Sequence, residues 1–135
     1  MEIFPHTGIG HLKFDDGIEE IKGKVAKYKT VHAGNKVEMD KDYPSVFVQD
    51  IDLLIVFQER VDCVRYFETG HDVFHLGTNL TTESLPTLRQ KYQTLDIQLR
   101  KLEDGIDLPT FGIRITKNHD KAGNLVLVYS EAYSD

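Results

Sequence analysis

Apolar residues fall at helical spacing in two stretches and in runs or alternation in several others. Ile18, Ile21, Val25 and Tyr28 recur three and four residues apart. This spacing predicts a helix over 16–29 with one buried face. Asp16 followed by Glu19 makes a capping-box-like start. Lys22, Lys24, Lys27 and Lys29 lie mostly on the other side, towards the C-terminus, where cations are favoured. Leu85, Leu88, Tyr92 and Leu95 predict a second helix over 82–93, capped by Thr81 or Thr82, with Pro86 in a first turn that needs no amide donors. Strand patterns occupy the remainder. Val37–Met39 is short, and Ser45–Gln49 is stronger, with Pro44 at its start. Leu53–Phe57 is followed by a turn at Glu59-Arg60 and a return over Val61–Phe67. Thr94–Leu99 alternates as a half-buried strand, although Leu95, Leu99 and Leu102 also fit a continued helix. Phe111–Thr116 and Asn124–Tyr129 flank a hairpin loop over 117–123, rich in turn residues.

These elements recur in order. His11-Leu12 precedes His75-Leu76 by 64 residues, and Ile21 and Tyr28 precede Leu85 and Tyr92 by the same interval. Each half reads as strand, turn, helix and hairpin, the signature of a duplicated unit over 8–70 and 72–135 within a single domain, 1–135. The predicted fold class is α+β, with two related halves whose helices cover one face of an antiparallel sheet.

Length suits one domain, since the chain has 135 residues. Charge narrows the partners: 16 Lys and Arg stand against 22 Asp and Glu, a net charge of −6. Nucleic acid, which needs a basic face, is disfavoured, as is electrostatic attachment to anionic lipid. The longest apolar run, Leu53–Phe57, is far short of the ~18 residues of a membrane span. The N-terminus lacks the basic and apolar regions of a signal peptide, and Cys63 has no second cysteine to pair with. A cytoplasmic location is the simplest expectation.

Catalytic signatures are sparse. No Gly-x-Ser-x-Gly elbow, phosphate-binding glycine loop or Cys-x-x-Cys pair is present. Cys63 falls in an apolar strand pattern, which predicts a buried, inert thiol. His71 and His75 have the spacing of a helical zinc pair, but Gly70 and Gly77 flank them and the chain between reads as extended. In a strand they would stand about 13 Å apart. Asp40-Lys41-Asp42 and Asp120–Asn124 lack the full ligand series of a calcium loop. No metal site and no cofactor is therefore expected. A small enzyme or ligand-binding domain using His71, His75 and neighbouring carboxylates is one alternative, and a structural or assembly module is another.

Ile9-Gly10-His11-Leu12-Lys13-Phe14 running to Ile21, and His75-Leu76-Gly77-Thr78 running to Leu85, resemble the β-lactamase inhibitory protein fold and the related small modules of outer-membrane assembly lipoproteins. The chain departs from that pattern in having no disulfide pair and no Gly-Met-Thr in the first turn, and a leader is not expected from its opening residues. The resemblance implies a non-enzymatic scaffold whose concave sheet takes a protein, and it carries over no interface residue.

Acidic residues in the connections, with nearby aromatics, form the candidate binding set: Asp40, Asp42, Tyr43, Phe47, Asp50 and Asp52. Carboxylates at a rim would steer a basic partner and aromatics would hold it. The expected function is protein binding of the bacterial immunity or inhibitor kind, in which acidity complements a basic toxin surface.

Overall fold

A computed structural model describes residues 1–134. Three short strands open the chain: β1 (Ile3–Phe4), β2 (Gly8–Ile9) and β3 (Leu12–Lys13). Helix α1 (Ile18–Lys24) leads to four strands, β4 (Val31–Glu38), β5 (Lys41–Val48), β6 (Leu53–Phe57) and β7 (Val64–Thr69). A small hairpin, β8 (Phe74–His75) and β9 (Thr78–Asn79), then precedes helix α2 (Leu85–Gln93). Four more strands follow: β10 (Arg100–Leu102), β11 (Gly105–Leu108), β12 (Ile113–Lys117) and β13 (Asn124–Tyr129). A 3₁₀ turn at Glu131–Ser134 ends the described chain.

The two sets of four strands join in one eight-stranded antiparallel sheet, in the order β10-β11-β12-β13-β7-β6-β5-β4. The last strand of each set meets at the centre, where Val126 to Tyr129 pair with Thr69 to Tyr66. Alternation along each strand sends one set of side chains to each face. One face is the main core: Val46, Ile55, Phe67, Ile113 and Val128 pack with Ile21 of α1 and with Leu88 and Tyr92 of α2. Both helices therefore cover the same side of the sheet.

Local chemistry accounts for where the element boundaries depart from the sequence pattern. Helix α1 is shorter than 16–29, and Asp16 does not cap it. Asp16 is buried and accepts from the Lys13 amide at 2.9 Å and from Lys24 Nζ at 2.7 Å. The helix instead receives Asp62, from before β7, whose Oδ1 accepts from the Ile18 amide at 2.9 Å. In α2 the cap is Ser84, not Thr81 or Thr82, and its Oγ accepts from the Thr87 amide. Pro86 falls in the first turn as expected.

Strand β4 is much longer than Val37–Met39 because its polar stretch, His32 to Lys36, lies on an exposed sheet edge where no apolar pattern is needed. Pro44 sits inside β5 rather than at its start, one residue outside the stretch paired with β6. Thr94–Leu99 is neither strand nor helix but an irregular link into β10. Strand β7 begins at Val64, so Cys63 lies in the preceding loop and is only half buried.

Candidate functional site

Helices leave the second face of the sheet uncovered, and the 3₁₀ turn at the C-terminus is what reaches it among the described residues. A smaller cluster lies there: Tyr43, Val56, Tyr66 and Tyr129, with Leu54, Leu127 and Tyr133 packed against them. Register places side chains in line across all eight strands. His32 is opposite Phe47, Phe47 opposite Leu54, and Leu54 opposite Glu68. Glu68 is opposite Leu127, then come Arg114, Asp107 and Arg100. The row is aromatic at one end, apolar around a central carboxylate, and doubly cationic at the other.

Two clusters flank Tyr133. In the first, Arg65 Nη1 donates to both oxygens of Glu38 at 3.0 Å, and the Tyr66 hydroxyl donates to the same carboxylate at 3.1 Å. A bulge makes this possible: Val56 is opposite Tyr66 and Phe57 opposite Val64, so Arg65 is an extra residue. Both Arg65 and Tyr66 thereby reach the open face. The Arg65 guanidinium stands 4.4 Å from the Tyr43 ring centre and 4.6 Å from that of Tyr133, within cation–π range. Burial and the Glu38 charge push the Tyr66 hydroxyl pKa well up.

In the second cluster Asp107, 1% exposed, is the acceptor. Its Oδ2 takes Arg100 Nε at 3.2 Å and Nη2 at 2.6 Å, and its Oδ1 takes the Tyr129 hydroxyl at 2.8 Å. Asp107 thus lies inside a strand, β11. A cleft of about 540 Å³ opens beside this cluster, walled by Arg100, Arg114, Tyr129, Ser130 and Tyr133.

Glu68 sits between the clusters, half buried between Leu54 and Leu127. Among the described residues it makes no side-chain hydrogen bond and no ion pair. Burial raises its carboxyl pKa above the ordinary range, and the Glu38 and Asp52 charges add to this against the opposing pull of Lys36.

The residues expected from sequence are distributed unevenly. Tyr43 and Phe47 lie on the open face, Tyr43 buried beneath Arg65. Asp40 is at the exposed tip of the β4–β5 hairpin and Asp42 is exposed just beyond it. Asp50 and Asp52 are at the far end of β5, about 25 Å away along the strand. Asp50 accepts from the Thr30 amide at 2.8 Å, which holds its pKa below the ordinary value and ties the chain after α1 to the sheet. Asp52 pairs with Lys121 at 3.4 Å. The four carboxylates thus do not gather at one rim.

Histidine is placed differently again. His75 is 3% exposed, its Nδ1 lies 2.7 Å from the Tyr92 hydroxyl, and the two rings stack. Desolvation, then the Lys91 charge, lowers its pKa to about 4. His71 is exposed, in the loop before β8. Among the described residues no three His, Cys, Asp or Glu side chains gather as metal ligands would. Cys63 has its thiol pKa raised by burial and by Asp15 and Asp62, which disfavours a nucleophilic thiolate. No helix is long and apolar enough to cross a membrane among the described residues.

Glu68, Arg65, Arg114 and Asp107 were absent from the sequence-based set. The signal available was a charged residue at an alternating position inside an apolar strand, as in Ile113-Arg114-Ile115. A family scan, a search of curated proteins and a search of solved structures each return no match to this chain, so its functional reading rests on the open face itself.

Proposed function

We propose that this chain is a non-enzymatic protein-binding module of the immunity or inhibitor kind, and that the open face of the sheet receives a basic partner. The observation that carries this is Glu68. Among the described residues this half-buried carboxylate has no hydrogen bond or ion pair, only the longer-range pull of Lys36, and between two leucines it is poorly solvated as it stands. A lysine or arginine from a partner supplies the missing charge. The surrounding Leu54, Leu127, Phe47 and tyrosines would exclude water from that contact, the arrangement in which an interfacial charge pair counts most. The net charge of −6 favours encounter with a basic protein.

The enzyme alternative loses support because His75 is buried and occupied by Tyr92. Duplication remains part of the proposal. Hairpin, helix and four strands occur twice in the same order, and the sheet order runs inward from β10 and from β4 to a central β13–β7 pair. On this reading the open face joins two equivalent surfaces, with Glu68 at their seam.

The test is affinity capture from the source cell's lysate with three baits: the native chain, Glu68→Arg on the open face and Lys22→Glu on the helix side. The same basic protein should be held by the native and Lys22→Glu baits and lost from Glu68→Arg. Retention by Glu68→Arg, or no protein specific to the native bait, contradicts the proposal.

A further inference from the structure

We infer that the cleft beside Arg114 is a binding site for a carboxylate carried on an apolar or aromatic body. Charge and hydrogen-bond accounting lead to it. Asp107 has both oxygens engaged, by Arg100 and by the Tyr129 hydroxyl. Arg114 Nε stands 3.8 Å from Asp107 Oδ1, beyond hydrogen-bond reach. Two guanidinium groups therefore share one buried carboxylate, and the other carboxylate among the described residues of the cleft, Glu131, is exposed and lies beside His6, which leaves Arg114 without a counter-charge of its own at the cleft wall. The matching cluster of the first half has no such surplus, since Arg65 and Glu38 form a one-to-one pair, with Nη1 bridging both carboxylate oxygens.

Two buried polar atoms of residues lining the same cleft also lack partners among the described residues, Arg114 Nε and Ser130 Oγ. A buried donor left unsatisfied in the protein calls for an outside partner such as a water, an ion or a ligand, or for strain that the fold tolerates. An acceptor entering the cleft, with a small rotation of the Arg114 side chain, satisfies both the arginine and the hydroxyl.

The ligand class follows from the charges and the walls. A carboxylate has one negative charge, equal to the surplus, and matches the guanidinium fork. A phosphate dianion would overcompensate and would face Asp107 and, at the rim, Glu131. Tyr129, Tyr133 and Pro109 provide flat, largely apolar walls for the body of the ligand. A volume of about 540 Å³ is that of a small-molecule site. The carboxylate has two possible sources, a free organic acid or an acidic side chain of a bound protein.

The experiment uses the full chain alone and so is independent of the Glu68 proposal. Amide and side-chain NMR shifts are followed on titration with benzoate, with neutral benzamide as isostere control, and separately with a capped glutamate peptide. The expected result is millimolar benzoate binding with shifts at Arg114 and Ser130, and no such shifts with benzamide. Arg114→Gln should weaken benzoate about tenfold, the loss of one charge-assisted contact, while Lys36→Gln on the same face leaves it unchanged. Unaltered spectra away from the cleft verify that each variant is folded, and Ser130→Ala gives a second reading with a smaller loss. Tighter benzoate binding identifies a free acid as the source; tighter peptide binding identifies a partner side chain. Equal response to benzoate and benzamide, unchanged affinity in Arg114→Gln, or silence to both carboxylates overturns the inference and leaves the cleft to ordered water.

Discussion

His75 carries the clearest single-residue consequence. Its ordinary pKa of 6.5 falls to about 4 in the fold because burial disfavours the imidazolium and Lys91 repels it. The folded state therefore prefers the neutral ring. Above pH 6.5 both folded and unfolded chains hold it neutral, and its contribution to stability is fully present. As pH falls from 6.5 towards 4 the unfolded chain gains a proton that the folded chain refuses, and stability drops by about 2–3 kcal/mol. Denaturant midpoints measured across this window should fall for the native chain. They should fall distinctly less for His75→Gln, which keeps a polar contact to Tyr92 but cannot titrate. Parallel curves for the two proteins would mean that His75 is charged in the fold. The same residue marks a limit of the sequence pattern: His11 and His75 align at the 64-residue interval, yet His11 is exposed and His75 buried. Burial depends on what packs above, here Tyr92 and Phe111, and spacing does not carry that.

At the scale of elements, stability is shared across distant parts of the chain. The first turn of α1 depends on Asp62, 44 residues away. Asp62→Ala should cost about 1 kcal/mol, as cap removals do, and hydrogen exchange should quicken first at the α1 amides. Ser84→Ala should act similarly on α2 through the Thr87 amide, with α1 protection unchanged. Both helices, β6, β12 and β13 were legible in the sequence because each carries a continuous apolar period. Strands β10 and β11 were not. Glu103-Asp104 reads as a loop and is indeed the turn between them, but Gly105-Ile106-Asp107-Leu108 is too short to show alternation around its buried acid. The long edge strand β4 escaped for the opposite reason, since an exposed edge imposes no hydrophobic pattern on His32 to Lys36. Asp62 escaped because capping by a remote carboxylate leaves no local motif, and Asp16, which the local pattern made the cap, bonds the Lys13 amide and Lys24 instead.

Across the whole molecule, the antiparallel sheet has one face given to packing and one given to a cross-strand row of functional groups. Tyr43 and Phe47 share the open face because they alternate with Val46 and Val48 of the core. Glu68 is aligned with Arg114 and Asp107 through the β13–β7 pairing between the halves and the β12–β13 and β11–β12 pairings within the second, which no local reading contains. A basic protein on this face should be seen by hydroxyl-radical footprinting of the complex with the captured partner: oxidation should fall at Leu54, Leu127 and Tyr133 on the open face, with Leu76 and Leu95 of the helix layer unchanged. Protection at Leu76 and Leu95 with Leu54 and Leu127 unchanged would contradict it.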